Sequence, residues 1–176
     1  MGHEETKIIL LVENDVLLSL LGKERLEHFG YEVITAANGE GAFEIVVHEN
    51  KIDLVLMDIQ LGQGINGLDT AEKILKHKEI PIVFTIGYAE HKHLEKLKRL
   101  TCYGCIYKAS GDFVLRSSIE IALNLFNLSQ NSKFSYNHLA KSPVPPVPPP
   151  QKIKNLSSVD TGKFESPASL NLNEMV

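Results

Sequence analysis

The chain has no tryptophan, only two cysteines and no apolar run approaching the length of a bilayer span. Each scarcity excludes something. A membrane-spanning helix needs about twenty mostly apolar residues, and the polar opening MGHEETK has no apolar core of a secretory signal. A soluble, cytoplasmic protein without membrane insertion is therefore expected. Two cysteines cannot build a disulfide framework. The Cys-x-x-Cys spacing of Cys102 and Cys105 would suit a redox pair or half of a zinc site. No second pair exists, and this one opens a strand rather than a helix, so reduced, half-buried thiols are the simpler reading. His91 and His93, two residues apart, would face different sides of a helix, which argues against a metal there. Positive charge is also scarce. Residues 1–130 hold 13 Lys/Arg against 19 Asp/Glu, and the remainder holds 5 against 3. An acidic body has no basic stripe to neutralise phosphates, so direct nucleic-acid binding is not expected.

What the chain does have is an ordinary globular composition, 43% hydrophobic and 23% charged, over 176 residues. That length suits one domain with an extension. Short aliphatic runs recur at Lys7–Glu13, Tyr31–Ala37, Ile52–Asp58, Ile80–Ile86 and Tyr103–Lys108. The first, third and fourth are almost continuously apolar, as strands buried on both faces of a parallel sheet must be. Helical spacing fills the gaps. Leu18, Leu21, Leu26 and Phe29 make one stripe, Ala42, Phe43, Val46 and Val47 a second, and Leu68, Ala71, Ile74 and Leu75 a third. Leu94 and Leu97 make a weaker fourth. Gly30 closes the first helix, Asn38–Gly39 turns into the second, and Pro81 opens the fourth strand. Five strands alternating with five helices predict an α/β fold, a doubly wound five-stranded parallel sheet.

The fifth helical stretch, roughly Gly111–Gln130, is apolar on more than one side. Leu115, Ile119, Ala122, Leu123 and Phe126 form a core stripe. Val114, Ile121, Leu125 and Leu128 form another about 130° around, at about 100° per residue. The second stripe is read as a partner or homodimer surface, against scattered surface hydrophobes or cover by the tail. From about Asn131 the periodicity stops. SPVPPVPPPQ (Ser142–Gln151) favours extended polyproline II, either as a semi-rigid linker or as a PxxP recognition motif. The expected division is a folded domain at 6–130 and a disordered proline-rich tail at 131–176.

In doubly wound sheets the site lies beyond the carboxyl ends of the strands. Polar residues stand at three of these ends: Glu13–Asn14–Asp15 after the first strand, Asp58 at the third and Lys108 at the fifth. Carboxylates with one lysine suit a magnesium ion beside an anionic group. The plainer readings are that Asp58 merely closes a strand, that Lys108 is a solvated charge and that Asp15 caps the first helix. A nucleotide- or flavin-binding enzyme is disfavoured. No glycine-rich phosphate loop follows the first strand, where VEND (Val12–Asp15) would repel phosphate.

Four blocks together, IILLVEND (8–15), DLVLMDIQLGQGINGLDTAEKIL (53–75), IPIVFTIGYAE (80–90) and YGCIYK (103–108), resemble the response regulator receiver family over roughly residues 6–130. The resemblance implies the flavodoxin-like fold and a single-domain regulator of two-component signalling rather than an enzyme in the usual sense. Asp58 would accept a phosphoryl group from a sensor histidine kinase or phosphotransfer protein, with output through protein contact. It implies Mg2+ held by Glu13, Asn14, Asp58 and the main-chain carbonyl of Gln60, with Lys108 pairing the phosphoryl oxygens. Gly87 leaves room for the phosphate, and Gln60 and Tyr88 flank the entry.

The sequence departs from the family pattern at four points. Asn14 stands where a metal-binding acid is usual. The usual hydroxyl at the end of the fourth strand falls on Ile86, with Thr85 one residue early and hence expected on the opposite face. Cys105 replaces a switching aromatic, and Ala109 replaces a proline whose preceding bond is generally cis, so a trans, rearranged loop is expected. These departures raise the alternative of a pseudo-receiver, an interaction scaffold that phosphate does not switch.

Overall fold

Aliphatic runs become parallel strands here because helices cover both of their faces. The computed structural model describes residues 5–49, 51–87, 97 and 100–139, with the backbone alone for 134–139. The strands are β1 (Ile8–Val12), β2 (Glu32–Ala36), β3 (Ile52–Asp58), β4 (Ile82–Ile86) and β5 (Gly104–Tyr107). All pairings are parallel, in the order β2-β1-β3-β4-β5. This is the doubly wound, flavodoxin-like sheet expected from the sequence.

The helices are α1 (Val16–His28), α2 (Gly39–His48), α3 (Gly67–His77) and α4 (Asp112–Leu139). Side-chain caps start the first three. Asp15 accepts from the amides of Leu17 and Leu18, Asn38 from Gly41, and Asn66 from Asp69. Each satisfies donors that the first helical turn leaves without partners. The helix α4 is the fifth helical stretch of the sequence. The fourth stretch lies mostly outside the described residues, although Leu97 is helical and buried.

Alternate strand residues feed two cores. Leu10, Val12, Val55, Met57, Phe84 and Ile86 meet α2 and α3 through Ala42, Val46, Ala71 and Ile74. Ile9, Leu11, Leu54, Leu56, Val83 and Ile106 meet α1 and α4 through Leu26, Leu115, Ile119 and Ala122. The α4 core stripe is as expected. Its second stripe, Val114, Ile121, Leu125 and Leu128, is between 45% and 62% exposed.

Two expectations need correction. In α1 only the C-terminal half packs. Leu26 is buried and Phe29 is packed against the core, but Leu18 and Leu21 are exposed. They border a cavity of about 320 Å³ whose lining includes Leu11, Leu56, Ile106 and Leu115. Helical spacing alone predicts a helix lying on the core along its whole length, because it carries no information on tilt. The second correction concerns α4, which continues to Leu139, so the boundary expected at Asn131 falls inside a helix. Where this continuation begins, an exposed polar contact ties the helix to the body, a kind of contact that an apolar pattern does not reveal. Glu79 accepts from Gln130 Nε2 at 2.9 Å and from Lys133 Nζ at 2.6 Å.

Candidate functional site

Strand alternation carries the polar groups onto one side. Glu13 follows Leu11 by two residues, Asp58 follows Leu56, and Lys108 follows Ile106, so all three continue the rows facing α1 and α4. There they meet. Lys108 Nζ lies 2.8 Å from Glu13 Oε2 and 2.8 Å from Asp58 Oδ2. Glu13 is 6% and Asp58 1% exposed, and buried carboxylates persist as anions only when paired and hydrogen-bonded. The remaining oxygens are also engaged. Glu13 Oε1 accepts from the Asp15 amide, and Asp58 Oδ1 accepts from the Gln60 amide, both at 3.1 Å. Burial works against the charged Lys108 amine. Hydrogen bonds from it to Asp58 and Glu13, and then their negative charges, outweigh that and hold its pKa above the ordinary lysine value.

The backbone fixes these positions. The Lys108 amide donates to the Ile86 carbonyl at 2.9 Å, and the Glu13 amide to Ala36 at 3.0 Å. After Asp58 the chain loops to Gly67, whose amide donates to Ile59 at 3.0 Å. A Cβ on Gly67 would overlap the Asp58 carbonyl, so only glycine lets α3 start this close to the acid.

The other residues singled out from the sequence distribute unevenly. Asn14 is exposed and its amide nitrogen lies against Gly62, where a Cβ would come within 3.1 Å of it. This places Asn14 across from the loop that follows Asp58. Asp15 caps α1. Gln60 is exposed beyond its amide contact, and Gly87 is half-buried. Tyr88 lies outside the described residues. Cys105 is exposed and Cys102 intermediate, with neither in a disulfide, and burial pushes the Cys102 thiol pKa up. Among the described residues no peptide bond is cis, the one before Ala109 included, as expected where alanine replaces proline.

Thr85 corrects an expectation. Its place one residue early predicts a hydroxyl turned away from the acid. Instead Asp58 and Thr85 are register partners, so their side chains share a face, and Thr85 lines the cavity beside Glu13 and Lys108. Ile86 points into the α2/α3 core, 2% exposed. The register of β3 with β4 would have revealed this, but no local pattern states it.

A divalent cation here would meet hard oxygens. Among the described residues no three His, Cys, Asp or Glu side chains converge as a metal cluster. The side-chain donor set is two carboxylates plus the Asn14 amide. Two acids with one lysine leave a negative charge, and each carboxylate oxygen keeps a further lone pair beyond the bond it accepts. The set fits magnesium, which takes one or two carboxylates and completes its shell with water.

A β2-β1-β3-β4-β5 sheet with a buried acid pair and a lysine at its carboxyl end defines a receiver-type signalling domain. The family model for the response regulator receiver domain matches residues 9–120, and the chain belongs to that family. Receivers are signalling phosphoacceptors of two-component systems rather than enzymes in the usual sense, and magnesium is typical at their phosphorylation site. The chain is 32% identical over 127 residues to the uncharacterized transcriptional regulatory protein YrkP of Bacillus subtilis, covering 71% of this chain and 53% of YrkP. It is 37% identical over 75 residues to the transcriptional regulatory protein CpxR of Escherichia coli, covering 43% of this chain and 31% of CpxR. The chain thus spans about half or less of these two relatives. Among solved structures it is similar to the N-terminal domain of a response regulator/sensory box/GGDEF protein from Carboxydothermus hydrogenoformans. There the identity is 36% and the TM-score 0.66, over 70% of this chain and 98% of that one. No helix among the described residues is long and apolar enough to cross a membrane.

Proposed function

We propose that this receiver is a phosphoacceptor. Asp58 takes a phosphoryl group from the phosphohistidine of a sensor kinase or phosphotransfer protein. The single observation carrying this reading is the Lys108 amine 2.8 Å from an oxygen of Asp58, with Glu13 on the same amine. A carboxylate oxygen of Asp58 attacks phosphorus in line while the P–N bond breaks, and the histidine nitrogen leaves with the electron pair. Lys108 then offsets the charge on the phosphoryl oxygens, the task for which a preorganised cation is most effective. Glu13, Asn14, Asp58 and the Gln60 carbonyl would hold magnesium, which supplies further positive charge to the transferring group. Thr85 supplies a hydroxyl on the same face, in place of the buried Ile86. Gly87 leaves room beside the phosphate, and Gln60 and Tyr88 govern access of water.

Output runs through protein contact. The acidic body disfavours nucleic acid, and the exposed stripe of α4 (Val114, Ile121, Leu125, Leu128) is the surface for a second copy or a downstream protein. Within this reading the receiver domain extends through the α4 helix, and the proline-rich segment beyond it is a linker.

The test is direct. Incubated with a small phosphodonor and millimolar magnesium, the protein gains one phosphoryl group by intact mass, and Asp58→Asn gains none. Absence of phosphate on the wild type would sink the proposal in favour of a pseudo-receiver scaffold, as would equal labelling of Asp58→Asn. For the α4 surface, Ile121→Asp with Leu125→Asp converts a dimer to a monomer by light scattering. A monomeric wild type removes the homodimer.

A further inference from the structure

Arg25 belongs to no strand end, yet it is tied to the segment that follows Lys108. From the last turn of α1 its guanidinium crosses to the β5–α4 connection. Nε donates to Asp112 Oδ1 at 2.8 Å, and Nη2 donates to the Ser110 carbonyl at 3.0 Å. Nη2 also lies 2.8 Å from Asp112 Oδ1. Ser110 is only two residues beyond Lys108.

That connection is held by main-chain bonds and by few side chains of its own. Ala109 is exposed, so its methyl is not packed in the core, and it lacks the ring that would restrict φ. Gly111 is the least restrained residue type. Main-chain bonds run from the Lys108 amide to Ile86, from the Ser110 amide to Tyr107 at 2.9 Å, and from the Val114 and Leu115 amides to the Gly111 carbonyl. The side-chain bonds from Arg25 are therefore what tie the turn to α1. Apolar packing does not press the turn against α1, because the space between them is the cavity of about 320 Å³ that Arg25, Lys108 and Ser110 line together. A planar fork with several fixed donors can grip a carbonyl and a carboxylate at once, which an ammonium on a flexible stem does less well.

We propose that Arg25 is a positioning residue, whose grip on the Ser110 carbonyl fixes the β5–α4 turn so that the Lys108 amine stays on both Asp58 and Glu13, the Asp112 ion pair serving only to orient the fork. It acts through Lys108 and touches no phosphate. Only its consequence for phosphoryl transfer rests on the phosphoacceptor reading; the effect on Lys108 does not.

The experiment therefore has two readouts on the full chain. With 15N-labelled lysine, the wild type shows a Lys108 Nζ–H cross-peak under conditions where exposed lysines such as Lys76 exchange too fast to be seen; its absence from Lys108→Met assigns it. In Arg25→Met, which keeps an apolar stem at the cavity wall, this cross-peak vanishes while the backbone amide spectrum is retained. In Asp112→Asn, which leaves the Ser110 carbonyl to Arg25, the cross-peak persists. The rate of phosphate gain from a small phosphodonor falls about tenfold in Arg25→Met, as misplacement of one charged group would give, and less than about twofold in Asp112→Asn.

A wild type without a protected Lys108 signal overturns the proposal, as does an Arg25→Met protein that keeps it. Equal loss in Asp112→Asn also overturns it, since the ion pair and not the Ser110 grip would then be the device. Loss of the signal in Arg25→Met from a protein that never gains phosphate leaves the positioning role standing and removes the phosphoacceptor reading instead.

Discussion

The two faces of the sheet are built from the same five strands by alternate residues, yet they end differently. Towards α2 and α3 the side chains close completely: Val12, Met57, Phe84, Ala42, Ala71 and Ile74 have essentially no exposure. Towards α1 and α4 the floor is equally buried, but the N-terminal half of α1 stands over a cavity, with Leu18 and Leu21 exposed. The strand ends follow the same division. Ile86 continues the closed face, while Glu13, Asp58, Thr85 and Lys108 continue the open one. Buried charged groups persist where they can pair, as Glu13, Asp58 and Lys108 do on the open face.

Substitutions can erase that contrast or deepen it. The strongest response is expected on the open face at Lys108→Met. Removing one preorganised donor lowers the rate of phosphate gain about 10²–10³-fold, measured by intact mass against time. The same variant tests the electrostatics. The amine's pKa is raised in the folded state, so its contribution is full below the unfolded value of about 10.4 and is lost as pH rises through the folded value. The gap between wild-type and Lys108→Met urea midpoints should therefore hold near neutral pH and narrow in strong alkali. A gap that widens there would contradict the salt bridges.

Next comes packing. Ile74→Ala on the closed face should cost about 2–5 kcal/mol by urea denaturation, because a void is left among fixed neighbours. Leu21→Ala, already half-exposed, should cost less than about 1 kcal/mol. Equal costs would mean that the cavity is filled in solution. Between these two costs, Asn14→Asp should tighten magnesium about tenfold, or about 1.4 kcal/mol, by adding a charge worth roughly 1–4 kcal/mol at about 4 Å. Isothermal titration reads this directly, and unchanged affinity would remove Asn14 from the metal set. A gain rather than a loss, of a size comparable to the Leu21→Ala cost, is expected at Gly22→Ala. A Cβ there meets only the Leu11 side chain, at 3.1 Å. Since Leu11 borders the cavity and can give way, the helix should gain up to about 1 kcal/mol in thermal unfolding.

Much of this arrangement is legible in the sequence, and the reasons are local. A strand buried on both faces must be apolar throughout, so IILLV and IDLVLMD announce themselves. A capping side chain must precede the amides it serves, so Asp15 and Asn38 mark where α1 and α2 begin. Asp58 and Lys108 stand out because an ionised residue at the end of an apolar strand is costly to bury unless an opposite charge meets it there. The continuation of α4 was not legible in the apolar spacing, and the contact Glu79 makes with Gln130 and Lys133 comes from a distant part of the chain.

Residue order alone sets the kind of each described element, the strand rows that face a core and the residue types available for chemistry. It takes the folded chain to establish which half of α1 touches the sheet, that Thr85 shares a face with Asp58, and that Arg25 reaches Ser110. Those three depend on strand register and on helix placement between segments far apart along the chain. Neighbouring residues constrain period and propensity, but they do not set the distance between elements that meet only on folding.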